Sequence, residues 1–327
     1  MKAVLQRQYG DASVLRLGDR PDPENRAGWA TVQLRAAALN WHDVLVRQGT
    51  YSSPLPHTPG ADGAGIELGS GDEVVILPSL CWGGDDSAPG GDWEILGDRR
   101  PGTYAELVTV PRDCLAPKPK GMSWAEAAAL PLVGVTVFRA LFSRGRLRAG
   151  ESVLVLGAGG GVATSAVMMA SAVGARVVVT SSSDDKIAQA VALGASGGVR
   201  YDGDSSDSWP EAARELAPAG GFDLVLDAVG SWAEALRALR PGGRLVVLGA
   251  NRSDQAGLAV RPFYFGQYDL LGTTMGSPRD FAGLISLIDE HHLPPPVIDR
   301  SFPLDRAAEA HVHLESGAGF GKVVLDI

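Results

Sequence analysis

The chain has only two cysteines, Cys81 and Cys114. Two thiols cannot build a dense disulfide framework or complete a four-sulfur zinc site, and such sparse use fits a reducing compartment. No apolar run reaches the ~18 residues that span a bilayer. The opening MKAVLQRQYG carries no apolar signal core, so the chain reads as cytoplasmic, with no membrane partner. Basic clusters are missing too: 29 Lys and Arg stand against 38 Asp and Glu, a formal net charge of -9. That balance argues against nucleic acid as a partner, while leaving room for a local basic pocket that takes a phosphate.

Glycine is plentiful, at 42 residues, but follows no collagen-like period and no low-complexity tract. It therefore reads as turn chemistry. The length of 327 residues suggests two domains at about 150 residues each. The texture of the chain agrees, because it changes part-way along. Early runs such as Val4-Leu5, Ala30–Leu34, Asp72–Leu77 and Tyr104–Val108 are short strands bounded by Gly, Pro or Asp. The polar stretch from Cys81 to Gly102 reads as an excursion loop. Ser123, with Glu126 three residues on, is a capping box that starts a helix.

From Glu151 onward strands and helices alternate. Ser152–Leu156, Arg176–Thr180, Phe222–Asp227 and Arg244–Gly249 are nearly continuous apolar strands with helical stretches between them. Such βα units predict a doubly wound parallel sheet. Asp269–Gly272 looks like one more strand, at the sheet edge. Asp280–Glu290 reads as a helix, and Lys322–Ile327 as a terminal strand that needs a sheet to join.

Between the first strand and helix of that series lies Gly157-Ala158-Gly159-Gly160-Gly161-Val162-Ala163. It fails the strict G-x-G-x-x-G pattern at its sixth position, where Val162 stands. It fits G-x-x-G-x-x-A through Gly157, Gly160 and Ala163. Glycines there let the backbone approach a pyrophosphate, and the following helix N-terminus offers free N–H groups and partial positive charge. After the second strand, an NAD site usually presents an acid to the ribose 2′-hydroxyl. Here Ser181 occupies that place, followed by Ser182 and Lys186, a set that suits a 2′-phosphate. The expected cofactor is NADP, with NADPH preferred over NADH.

Taken together, the chain resembles the medium-chain dehydrogenase/reductase family over nearly its whole length. The matching stretches are Ala38–Asp43, Pro59–Gly65, Gly102–Glu106, Pro131–Thr136 and Gly321–Val324. The resemblance implies an α/β fold: a GroES-like β-rich catalytic domain at 1–127 and 265–327, and a Rossmann domain at 128–264. The zinc-dependent members hold catalytic zinc through Cys, His and Cys or Asp. Carried over, those positions become Asn40, Ala61 and about Leu132, and Ala and Leu have no lone pair to give. The four structural-zinc cysteines become Cys81, Gly84, Ser87 and Ile95. No metal is expected.

Asn40, Asp43 and Gln48-Gly49-Thr50-Tyr51 instead look like the Asn-x-x-Asp and Gly-x-Tyr elements of the zinc-independent quinone oxidoreductases. In that branch a cleft between domains holds the nicotinamide. Asn40, Asp43 and Tyr51 are the catalytic candidates, with Asn40 and Tyr51 as donors to a developing oxyanion. The expected cofactor set is Thr136, Gly157, Gly159, Gly160, Gly161, Val162, Ser181, Ser182, Lys186, Val229, Gly249 and Lys322. The expected reaction is hydride transfer from NADPH to a quinone or α,β-unsaturated carbonyl. Rival readings are an alcohol or aldehyde dehydrogenase, and a cofactor-binding protein without turnover. The resemblance also implies a small-molecule substrate and a homo-oligomer, commonly a dimer. Among the histidines, His42 lies nearest the catalytic candidates, whereas His311 and His313 should face different ways on one helix.

Overall fold

Trp29–Ala38 shows why the early part of the chain makes a sheet, because its side chains alternate between buried and more exposed along most of the strand. A computed structural model describes residues 1–201, 208–218, 220–251 and 255–327. The chain divides into two units: 1–135 with 276–286 and 295–327, and 136–275 with 287–294. Both main divisions fall later than the expected 127/128 and 264/265. The reason is that the helix Pro131–Phe138 begins within the first unit, and the strand Asp269–Gly272 belongs to the sheet of the second.

The first unit opens with β1 (Lys2–Gln6), β2 (Leu15–Asp19), β3 (Trp29–Ala38), α1 (Trp41–Gln48), β4 (Asp62–Glu67) and β5 (Glu73–Ile76). It continues through β6 (Ser79–Leu80), β7 (Glu94–Ile95), β8 (Leu107–Pro111), β9 (Leu115–Pro117) and α2 (Trp124–Ala128). The capping box at Ser123 is present, with Ser123 Oγ accepting from the Glu126 N–H and the Glu126 carboxylate accepting from the Ser123 N–H at 2.7 Å. Of the excursion loop, only Glu94–Ile95 forms a strand, paired with Ser79–Leu80. The strand expected at Tyr104–Val108 sits at Leu107–Pro111 instead. Tyr104 turns wholly inward and Ala105 makes only an isolated bridge to Ala3, so pairing with β3 starts later.

After α3 (Pro131–Phe138) the second unit runs β10 (Ser152–Val155), α4 (Gly161–Ala172), β11 (Arg176–Ser181), α5 (Asp184–Ala192), β12 (Gly197–Arg200) and α6 (Trp209–Leu216). Then come β13 (Phe222–Asp227), α7 (Trp232–Ala238), β14 (Leu239–Val247), α8 (Val260–Phe265) and β15 (Asp269–Gly272). All six strands are parallel, in the order β12-β11-β10-β13-β14-β15. Chain order reverses between β10 and β13, which is where doubly wound sheets bind ligands, at the carboxyl ends of the strands. Leu154, Val178, Phe222, Val225 and Leu245 are wholly buried in the core of this unit.

The chain returns to the first unit through α9 (Pro278–His291), β16 (Ile298–Pro303), α10 (Ala307–Glu315) and β17 (Lys322–Asp326). The terminal strand finds its sheet there, parallel to β16 and antiparallel to β3, with Val324 opposite Ala38. This seven-stranded sheet runs β16-β17-β3-β4-β5-β9, with β8 also on β3. Its register sets Lys322 on β17 close to the β3–α1 junction at Asn40 and the start of β4 at Asp62.

Candidate active site

In the first unit, Asn40 is the N-cap of α1 and Asp43 its third residue, and the Asp43 carboxylate accepts from the Asn40 N–H at 2.8 Å. Asp62 is fully buried at the start of β4. Its Oδ2 accepts from Asn40 Nδ2 at 2.9 Å and from Lys322 Nζ at 3.1 Å, and its Oδ1 from the Leu132 N–H at 2.7 Å. The remaining Lys322 protons go to Asn40 Oδ1 at 2.6 Å and to Leu39 O at 2.8 Å. A buried ammonium and a buried carboxylate are tolerable only when paired and hydrogen-bonded in this way.

Two of the expected site residues lie in this network. Lys322, expected to bind cofactor, spends all three of its N–H donors inside the first unit. Asn40, expected to donate to a substrate oxyanion, has its carboxamide clamped between Lys322 and Asp62. Its second amide hydrogen faces Ala38 O at a long 3.4 Å. Asn40 therefore acts as a bridge between two buried charges.

A second chain of bonds leads away from Asp43. Its Oδ2 lies 3.2 Å from the Tyr104 hydroxyl, which lies 3.3 Å from His311 Nε2. His311 Nδ1 is 3.2 Å from the Arg47 guanidinium, and Arg47 grips Glu315 with two bonds of 2.8 Å. Chemistry fixes the direction. A guanidinium has only donors, so His311 Nδ1 accepts, its single proton sits on Nε2, and that N–H points at the Tyr104 oxygen. The Tyr104 O–H is then left to donate to Asp43. Burial, helped by the Arg47 charge, pushes the His311 pKa down to about 3 and keeps it neutral. Burial likewise pushes Asp43 up to about 6 against the opposing influences of His42 and the Asn40 N–H. His313, two residues on, faces away and pairs with Asp299.

Tyr51 is exposed, and its ring centroid lies 5.0 Å from that of His42. His42 is hydrogen-bonded to Asp98, a residue of the excursion loop.

The dinucleotide candidates gather in the second unit at the carboxyl ends of β10, β11, β13 and β14. Gly157 leaves β10 with φ +84°, a conformation that L side chains rarely adopt, and its N–H donates to Thr180 Oγ1 at 3.1 Å. Gly160 is the N-cap of α4 with no side-chain cap bond, and Gly161 and Val162 form the first turn. The space beside the Gly157 and Gly160 α-carbons is open. Orphan N–H groups facing open space at a helix N-terminus are what an anion requires. Lys186 lies across the turn, its Nζ 3.0 Å from where a Cβ on Gly159 would sit. Ser181 is buried at the end of β11, its hydroxyl accepting from the Ser183 N–H at 3.1 Å, and Ser182 is exposed beside it.

Across the switch point, Asp227 at the end of β13 accepts from the Val229, Gly230 and Ser231 N–H groups at 2.6–2.8 Å. Gly249 packs so closely that a Cβ there would meet Ala228 O at 2.5 Å. Thr136 is buried in α3, its hydroxyl 4.0 Å from Met275 Sδ. Thr180 and Asp227 were missed from sequence. Each holds a turn through its side chain, and neither residue type at a strand end is distinctive.

The zinc positions of the resembled enzymes do not fit a metal. Ala61 and Leu132 have no donor atom, and the Asn40 oxygen is taken by an ammonium. Among the described residues no group of three His, Cys, Asp or Glu is placed to hold an ion.

Comparison with known proteins agrees with this architecture. Residues 26–120 match the alcohol dehydrogenase GroES-like domain, and residues 161–290 the zinc-binding dehydrogenase domain. A zinc-type alcohol dehydrogenase-like protein of Schizosaccharomyces pombe is 32% identical over 320 residues, covering 92% of this chain and 91% of that one. The chain belongs to the medium-chain dehydrogenase/reductase family. The quinone oxidoreductase of Mus musculus is 29% identical over 99% of this chain and 97% of its own. A solved structure described as an NAD-dependent alcohol dehydrogenase is 38% identical over the whole of both chains, with a TM-score of 0.93. Quinone oxidoreductases and alkenal/one reductases are among the relatives of this family member, and the protein is an oxidoreductase. Among the described residues no helix is long and apolar enough to cross a membrane.

Proposed function

We propose that this protein is an NADPH-dependent reductase that delivers hydride to a quinone or an α,β-unsaturated carbonyl without catalytic zinc. One observation carries the reading: Lys322 and Asp62 claim the carboxamide of Asn40, which with Ala61 and a position near Leu132 is where the resemblance puts a zinc enzyme's ligands. A saturated alcohol needs a Lewis acid to ease loss of its proton. A quinone or enone already delocalises the charge that hydride addition creates, so it can dispense with one.

The residues present fit a dinucleotide. Gly157, Gly159, Gly160, Gly161 and Val162 would take the pyrophosphate, and Ser181, Ser182 and Lys186 a 2′-phosphate. Val229, Gly249 and Thr136 would flank the nicotinamide half. When bound, the cofactor supplies the hydride; the protein orients it and steadies the developing oxyanion. Asn40 and Tyr51 are the expected oxyanion donors, with Asn40 also bridging Lys322 and Asp62. Asp43 steadies the α1 N-terminus from beneath. The substrate is a small molecule.

Dimerisation fits the edge strand β15, because the helix leading into it exposes Val260, Tyr264 and Phe265. A second reading, an alcohol or aldehyde dehydrogenase, is favoured by the likeness to the NAD-dependent alcohol dehydrogenase structure. The two separate in an NADPH- and NADH-oxidation screen over quinones, enones, aldehydes and ketones. Turnover of quinones or enones with NADPH supports the proposal, and turnover restricted to saturated carbonyls with NADH removes it.

A further inference from the structure

The first unit holds a cavity of about 660 Å³ beside the β1–β2 hairpin, and none of its lining residues belongs to the network around Asn40. Pockets that take small molecules run to roughly 300–1,000 Å³. The lining comes from residues between Met1 and Thr109, so the cavity is complete within this unit.

Local structure explains how it is built. Side chains alternate along a strand, so Met1, Leu5 and Arg7 fall on one face of β1 and its ends. Arg20 follows β2, with its N–H on Met1 O at 3.0 Å and its guanidinium 3.3 Å from Thr58 Oγ1. The turn before β3 sets Arg26 beside Trp29, whose N–H donates to Arg26 O at 3.0 Å. Arg100 arrives from the excursion loop, which is pinned where the Gly102 N–H donates to Thr58 O at 2.7 Å. Leu5, Pro56, Pro101 and Leu107 add an apolar wall.

Charge in the lining does not balance. Asp22 is taken by the terminal amine at 2.9 Å, Asp19 by Lys2 Nζ at 2.7 Å, and Arg100 by Glu94. Among the described residues Arg7, Arg20 and Arg26 have no carboxylate partner, and Glu24 is the lining acid left without a cation. Three unmatched guanidinia thus face one unmatched carboxylate, in a chain whose net charge is -9.

Trp29 gives this surplus its form. The Arg26 guanidinium lies 4.5 Å from the centroid of its ring, and that of Arg100 4.8 Å. A guanidinium held over a ring engages it with its face and keeps its N–H donors at its rim. Arg26 gives no hydrogen bond to a protein acceptor among the described residues, and Arg100 gives its Nε–H to Glu94. Donors in that fork arrangement match a carboxylate or a phosphate.

We infer that this cavity binds a small organic anion with an apolar body, a carboxylate or a phosphate ester, its charged group on Arg26 and its body against the apolar wall. The excursion loop that carries no zinc ligands beyond Cys81 then has a task, which is to bring Arg100 to Trp29. The inference asks nothing of the dinucleotide turn and does not rest on the reductase reading.

Fluorine NMR of the full chain labelled with fluorotryptophan tests it, because each of the seven tryptophans reports separately and Trp29→Phe assigns the signal of Trp29. The probes are naphthalene-2-carboxylate, 2-naphthyl phosphate and the neutral naphthalene-2-carboxamide. At least one anion should shift the Trp29 signal saturably, and the amide should bind at least about 10-fold more weakly, the worth of one charge-assisted contact. Added salt should weaken the anion and spare the amide. Arg26 is exposed, so Arg26→Gln should fold as the wild type does and lose about 10- to 100-fold in anion affinity. A Trp29 signal that neither anion moves overturns the site. Equal responses to anion and amide, or full anion affinity in Arg26→Gln, overturn it as well.

Discussion

The two candidate regions are built from opposite materials. The turn at Gly157–Val162 is backbone, with open space beside two of its glycines and N–H groups left for a ligand. The centre around Asn40, Asp43, Asp62 and Lys322 is side chain, buried, charged and bonded to itself. The first is incomplete without an anion. The second is complete as it stands. A region that needs a ligand should lose binding when altered and keep its stability, and a self-satisfied region should do the reverse.

The largest effect should come from the second region. Lys322→Met leaves the Asp62 carboxylate buried without its cation, and about 3–5 kcal/mol of stability should go in urea unfolding. Adding Asp62→Asn should restore most of it. Two single variants each costing under about 1 kcal/mol would show the pair to be weakly coupled.

Acid should come next. His311 has a folded pKa of about 3, below its ordinary 6.5, so the folded state favours the neutral ring. Its contribution is whole above pH 6.5 and drains away as pH falls toward 3, by about 1.4 kcal/mol per pH unit at most. Asp43, raised to about 6, works the other way: its contribution is whole below its ordinary 3.8 and is lost as pH rises through 6. The two partly offset each other between pH 4 and 6, so the difference between wild type and variant is the informative quantity. His311→Gln, which keeps an acceptor for Arg47 and a donor for Tyr104, should flatten the acid limb of Tm against pH. An unchanged limb would mean that His311 is not the group responsible.

The dinucleotide region should respond in binding. Lys186→Ala should weaken NADPH by about 10- to 100-fold, the worth of one charge-assisted contact, and leave NADH unchanged. Equal effects on both cofactors would detach Lys186 from the 2′-phosphate. Gly160→Asp is the finest test of the contrast. Gly160 has an extended backbone and open space, and Asp is a favoured N-cap, so the cofactor-free protein should hold its stability or gain about 0.5–1 kcal/mol. The same carboxylate should repel a pyrophosphate and weaken both cofactors by roughly 10-fold. Lost stability with intact binding would reverse the contrast.

The same division explains what could be read in the sequence. Four of the parallel strands were visible because burial on both faces makes them nearly continuous apolar runs, and the glycine turn because its function is local. Strands β2, β4 and β16 were not seen. Asp62-Gly-Ala-Gly is too small and polar to look like a strand, and it pairs with β3 all the same. Asn40 and Asp43 could be named as candidates, but their roles depend on residues far along the chain. The Lys322–Asp62 pair joins positions 260 apart, and Tyr104–His311 positions 207 apart. No local pattern encodes such pairs, since only the sheet register brings them together. Asp98 was one of four loop aspartates, and nothing local marked it as the partner of His42.

The central claim is hydride transfer without zinc, and the most direct test is NADPH oxidation with a quinone and an enone before and after exhaustive chelation, with the metal content measured on the same sample. The account predicts turnover that is unaffected by chelation in a protein essentially free of zinc. Stoichiometric zinc, with activity lost to the chelator and restored by the metal, would contradict it.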